Sequence, residues 1–238
     1  MLKDTDLQKP IFLKILNITF FNIVLIIGLY LMNRYNFLLF HSFIETMCII
    51  VSIGIFIVTL NSIEFQKDDF FLIIGSAYLF VGIFDFIHML SYKGMNVFTG
   101  LDISLSTQLW IMGRYIESLS FLIASLSFYY KVRFKYLITL ISIIFIVSLI
   151  SIFYLHDFPI TFIEGMGLTT FKTYSEYLVC IFLGLSIFII SKNRNKFEYK
   201  IFQNLRLFVL MAIIGEYIFS SYKDLYSIEN IIGHWFKL

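Results

Sequence analysis

The sequence predicts an all-α integral membrane protein, a bundle of seven transmembrane helices plus a truncated eighth. Three observations carry that expectation: 59% of residues are apolar and only 14% charged, the mean hydropathy is +0.87, and long apolar runs follow one another with short polar breaks. Soluble domains hold about 25% charged residues. A helix needs about 20 apolar residues to cross the roughly 30 Å hydrocarbon core.

The first span is expected over residues 15–32. It is full length and lacks a small-residue cleavage site, so it reads as a retained helix and not as a signal peptide. Further spans are expected at 37–60, 70–90, 105–130, 136–155, 173–191 and 204–221. An eighth apolar stretch runs from Ile231 to Leu238, too short to cross, so the chain reads as stopping inside its last helix with no output domain after it. Pro10 and Pro159 fall outside every expected span, which predicts regular helices. Cys48 and Cys180 lie within spans and lack the paired spacing of a zinc or redox motif. With no internal repeat or low-complexity linker, residues 1–238 are expected to form one domain.

The net charge of +2 says little, but its distribution is lopsided. With a cytoplasmic amino terminus, the inner segments and helix edges hold Lys3, Lys9, Lys14, Lys67, Lys131, Arg133, Lys135, Lys192, Arg194, Lys196, Lys200 and Arg206. The outer segments hold Arg34, Lys93 and Lys223, with Lys172 at a helix edge. The positive-inside rule selects this orientation in the cytoplasmic (inner) membrane. The basic runs at 131–135 and 192–200 then read as orientation signals meeting anionic lipid, not as nucleic-acid sites.

This threading brings the four histidines and most intramembrane charges to one side. His41 and Glu45 lie in the first turns of helix two, Asp85 and His88 in the last turns of helix three, and Gln108, Trp110, Arg114 and Glu117 enter with helix four. Lys172 and Glu176 follow in helix six, Glu216 near the outer end of helix seven, and His234 in the eighth stretch. The i,i+3 and i,i+4 spacings put each pair on one helix face. Ionisable groups in a bilayer are costly and face the bundle interior, so a layer of them reads as a site.

That site would be a polar pocket for a metal ion, a haem, a quinone headgroup or a small polar ligand. His41, His88 and His234 are the candidate metal or haem ligands, since imidazole with carboxylate suits transition metals. The competing reading is that the pairs only tie helices together. His156, followed by Asp157, reads as a solvated residue, while Trp110 and Tyr92 also fit an aromatic belt at the membrane interface. No phosphate-binding glycine loop, nucleophile elbow or HExxH pair occurs, so no enzyme is expected.

The segment AYLFVGIFDFIHMLSYKGMNVF, followed by LSTQLWIMGRYIESLSFLIA, resembles the third type of bacterial membrane-associated sensor domain, the MASE family. FHSFIE before it, FIEGMGLTTFKTYSEY after it and the terminal NIIGHWFK are similar to the same family, in the expected order. The resemblance implies a sensory input module ahead of a cytoplasmic output domain, typically a histidine kinase of a two-component system or a diguanylate cyclase in cyclic di-GMP signalling. It also implies a possible homodimer, with membrane lipid as the other partner. The family-like positions are His41, Glu45, Asp85, His88, Tyr92, Lys93, Gly94, Gln108, Trp110, Arg114, Glu117 and His234. Helix eight would carry a change in packing of helices two, three and four inward. The rival readings are a membrane redox protein and, less favoured, a transporter.

Overall fold

In the computed structural model, residues 5–64 and 69–237 are described, with side chains from Thr19 onward. The fold is helical apart from one hairpin of two-residue strands. Two compact units are distinguished, Met1–Phe43 and Ile44–Leu238.

The first unit holds α1 (Thr5–Tyr35) and the opening turns of α2 (Phe37–Ser62). Here α1 begins well before the expected span and runs through Pro10, which the sequence reading placed outside the helix. A proline near a helix start removes one backbone donor and leaves the later turns intact. Asn36 alone separates α1 from α2, and its Oδ1 accepts a hydrogen bond of 3.1 Å from the Leu39 amide, as a helix N-cap does.

The second unit continues with the rest of α2, α3 (Asp69–Ser91), α4 (Leu105–Leu126) and α5 (Phe134–Ile150). The strands β1 (Phe162–Ile163) and β2 (Gly167–Leu168) follow, then α6 (Thr170–Lys192), α7 (Tyr199–Phe219) and α8 (Ile228–Lys237). Among the described residues, six helices are long and apolar enough to cross a membrane: α2, α3, α4, α5 with its terminal turn, α6 and α7. The apolar described part of α1, Thr19–Tyr35, is shorter, and α8 has ten residues. The chain is therefore an all-α membrane protein.

Burial sets the layout of the second unit. The most apolar windows of α3 and α4 are 61% and 67% buried, while α5 and α7 reach 22% each, so α3 and α4 form the centre. Phe70, Ile73, Ala77, Val81 and Phe84 from α3 meet Leu109, Ile111, Ile116, Phe121 and Ala124 from α4 in one core. The outer helices keep apolar side chains such as Ile57, Ile143 and Phe188 on their surfaces, where hydrocarbon and not water is the solvent.

Two local features correct the expectation of regular helices. The fourth span ends at Leu126, not near residue 130, and α5 closes in a π-helical turn over Ser151–Leu155. That wider turn ends at His156, whose φ of 53° lies in the left-handed region, where histidine is enriched among non-glycine residues. The Ser151 hydroxyl reaches Asp157 Oδ1 at 2.5 Å and holds the exit, so a side-chain bond ends the helix without help from Pro or Gly.

The hairpin, which the apolar pattern did not announce, anchors the start of α4. Thr161 just before β1 is fully buried, and its hydroxyl lies 2.8 Å from Ser104 Oγ and 2.6 Å from Thr107 Oγ1. Its amide also donates to Ser104 Oγ at 2.8 Å. At the other end of the hairpin, the Thr169 side chain accepts from the Lys172 amide and caps α6.

Finally, α8 docks on α7 through Gly233. A Cβ at this position would sit 2.6 Å from the Phe219 ring. Gly233→Ala is expected to cost about 1–3 kcal/mol through overpacking. Thermal melts in detergent should show the loss, and Phe219→Leu in the same chain should recover part of it.

Candidate functional site

The site starts from one cation. Arg114, in the second and third turns of α4, is only 5% exposed. Its Nη2 donates to Asp85 Oδ1 at 2.8 Å and Oδ2 at 3.0 Å, across to α3, and its Nη1 donates to Glu117 Oε2 at 2.5 Å, one turn along its own helix. The other oxygen of Glu117 accepts the Tyr78 hydroxyl at 2.8 Å. Charge-assisted bonds of this kind are the strong ones, and they let the charges stay in a low-dielectric interior.

A second limb comes from the chain's last described residues. Lys237 on α8 donates to Glu45 Oε2 at 2.7 Å, and its Nζ lies 3.4 Å from Asp85 Oδ2. Between the limbs lies the Trp110 ring, with the Arg114 guanidinium 4.8 Å and the Lys237 ammonium 4.3 Å from its centroid. Between ring centroids it lies 5.3 Å from His88, 4.8 Å from Phe219 and 6.2 Å from His234. Trp110 is thus a buried platform for two cations, which corrects its reading as a membrane-interface belt residue.

Tyr92 is corrected in the same way. It is buried, its hydroxyl donates to the Leu225 carbonyl at 2.7 Å, and it accepts from Asn230 Nδ2 at 2.9 Å. Burial pushes its pKa well above the ordinary tyrosine value, so it remains a neutral phenol and a hydrogen-bond donor.

The two inward histidines of the second unit are fixed alike. His88 Nδ1 is 2.7 Å from the Ser106 carbonyl oxygen, and His234 Nδ1 is 2.7 Å from that of Asn230. His234 Nε2 lies 3.5 Å from Glu45 Oε1. One donor atom from each of Glu45, His88 and His234 lies within 4.8 Å of the others. A void of about 10 Å³ touches both rings.

Each of the other expected residues has its own setting. His41 belongs to the first unit, where it is buried and its ring stacks on Phe37 at 6.2 Å between centroids. Gln108 ties the loop before the hairpin, donating to the carbonyls of Phe158 and Pro159 at 3.3 and 3.2 Å. Lys93 pairs with Glu164 at 2.5 Å, and both side chains are exposed. The hydrogen bond to Glu164 holds the Lys93 ammonium above the ordinary lysine pKa. Lys172 and Glu176 form a buried ion pair on α6, and His156 is exposed.

Tyr78, Lys237, Asn230 and Phe219 were not among the residues expected from sequence. Tyr78 could have been found seven residues before Asp85 on one face of α3, and Lys237 one turn after His234. Asn230 and Lys237 open and close the family-like NIIGHWFK stretch, whereas nothing in the sequence marks Phe219.

A cavity of about 650 Å³ adjoins the Arg114 limb. Its walls are apolar, with Val51 from α2, Leu207, Phe208 and Met211 from α7, and Phe236 from α8. Tyr78, Asp85, Arg114, Glu117, Glu216 and Lys237 provide its polar end. Val51 and Leu207 are 58% and 55% exposed, so the rim is apolar and open at the helix surface. Arg114 Nε and Glu216 Oε2 are buried and have no hydrogen-bond partner among the described residues. No histidine lines this cavity, and the small void beside His88 and His234 cannot admit a porphyrin, so the described residues do not fit a haem.

A family model described as MASE3, membrane-associated sensor domain, matches residues 32–238. No curated protein and no solved structure matches the chain.

Arg114→Ala should be severe, because it leaves Asp85 and Glu117 buried without their cation, at about 3–5 kcal/mol. Detergent thermal melts would show it. The triple change Arg114→Met, Asp85→Asn, Glu117→Gln removes the charges together and should restore most of the lost stability.

Proposed function

The chain belongs to the MASE3 family of membrane-associated sensor domains, a sensory input module of signalling proteins, and we propose that it senses an amphipathic small ligand held in its 650 Å³ cavity. The observation that carries this reading is the make-up of the cavity lining: Tyr78, Asp85, Arg114, Glu117, Glu216 and Lys237 form one polar end of an otherwise apolar chamber. A volume of this size lies within the roughly 300–1,000 Å³ of small-molecule sites, and an apolar chamber with a few convergent polar groups is their usual form. The apolar rim suits access from the hydrocarbon.

The module would serve an output domain of histidine kinase or diguanylate cyclase type, acting as a homodimer in the cytoplasmic membrane with its amino terminus inside. The Lys and Arg distribution supports that orientation. The ligand would act by differential affinity for two packings of α2, α7 and α8 around the α3–α4 centre. Because the described residues do not fit a haem, the haem form of the redox alternative is not carried forward.

A thermal-shift panel of short-chain quinones and fatty acids on nanodisc-embedded protein tests the reading. A ligand at 100 times its Kd contributes about 2.7 kcal/mol. For a chain of this size that is expected to raise Tm by about 5–10 °C. Ala212→Trp, which fills the cavity wall, should abolish the rise. If no compound gives a shift that this variant removes, the cavity is not the sensory site.

Orientation is checked separately with single cysteines in a background lacking Cys48 and Cys180. An impermeant maleimide should label Lys223→Cys in intact cells, and Lys196→Cys only after permeabilisation.

A further inference from the structure

We propose that Glu45, His88 and His234 form a site for a first-row divalent transition metal, zinc foremost, which clamps α2, α3 and α8 together. This goes beyond the ligand cavity and stands whether or not that cavity takes an organic molecule. The first support is convergence: three donors from three different helices come within 4.8 Å of one another. In a tetrahedral zinc site with bonds of about 2.0–2.1 Å, neighbouring ligand atoms are about 3.4 Å apart. Small side-chain movements close that difference.

The second support is the direction of the rings. A backbone carbonyl oxygen only accepts, so the 2.7 Å contacts to Ser106 and Asn230 place a proton on Nδ1 of both His88 and His234. Each ring then offers Nε2 as its donor atom. Metal-bound histidines are held this way, with the second ring nitrogen donating to a carbonyl or carboxylate. Glu45 is oriented on the same pattern: Oε2 accepts from Lys237 at 2.7 Å, which leaves Oε1 on the side of His234 Nε2, 3.5 Å away. With one ligand atom from each of the three residues within 4.8 Å of the other two, a single cation can lie between them.

Charge gives a third argument. Around Arg114 and Lys237 lie four carboxylates, Glu45, Asp85, Glu117 and Glu216, all of which act electrostatically on Arg114. Formally the cluster has two negative charges more than positive ones, and a divalent cation cancels that excess where the dielectric is low. The donor set, two imidazoles and one carboxylate, favours zinc, iron, nickel or copper over magnesium or calcium. The void of about 10 Å³ beside both rings has room for one small exogenous ligand such as water.

The test uses the full chain without a histidine tag, stripped with chelator, in nanodiscs. Cobalt(II) should bind one-to-one with visible d–d absorption, and zinc should displace it. His88→Ala, His234→Ala and Glu45→Gln should each weaken cobalt binding at least about tenfold, while the exposed His156→Ala leaves it unchanged. Copper(II) bound to the unaltered chain should show nitrogen couplings from two imidazoles in its electron paramagnetic resonance spectrum, a readout that needs no variant to fold. Failure of the unaltered chain to take up stoichiometric cobalt or zinc would overturn the proposal. So would uptake that survives all three substitutions, since the metal would then be held by other residues.

Discussion

A guanidinium inside an apolar bundle is tolerable only if its charge is met by carboxylates, and in this protein the packing of α3 and α4 follows from how Arg114 is met. Its bonds to Asp85 on one helix and Glu117 on its own leave the two helices a single sliding register. The Tyr78 hydroxyl on Glu117 adds a second crossing between the same helices, two turns from the first. The apolar core of Phe84, Ile111 and their neighbours is non-directional and would accept several registers. The ionic crossing accepts one.

Trp110 extends this constraint to α8. Its ring takes Arg114 and Lys237 at under 5 Å each, and it packs in a tilted arrangement with the imidazoles of His88 and His234. An aromatic ring can hold the cations because its faces are negative. The described turns of α8 are thereby seated with their polar face inward. Lys237 holds Glu45 and also lines the cavity, so the two proposed sites share one residue.

Burial of so many charges creates the chemical contrast that both proposals use. Apolar side chains of α2 and α7 face hydrocarbon on one side and an open chamber on the other, and the chamber ends against polar side chains. Such a boundary recognises molecules that are themselves divided into an apolar body and a polar head. Beyond it, the imidazoles lie in a space too small for anything but an ion and a water.

Hydropathy is a one-dimensional property, and what depends on it was legible in the chain: the all-helical class and the spans from α2 to α7; the family was legible separately, in specific motifs that run in order along the sequence. The i,i+3 spacing of Arg114 and Glu117 announced an inward charged face before any coordinates, because helix geometry alone puts those residues together. What the spacing could not say is which faces meet. Lys93 and Gln108 are near the layer in sequence yet turn to the hairpin side, where Glu164 and the carbonyls of Phe158 and Pro159 take them. Lys237, which looked like a terminal residue, reaches back 192 positions to Glu45. The π turn at Ser151–Leu155 depends on a bond to Asp157 that no periodicity encodes. Pairing between helices is decided by register and rotation in three dimensions, and only the tertiary structure contains those.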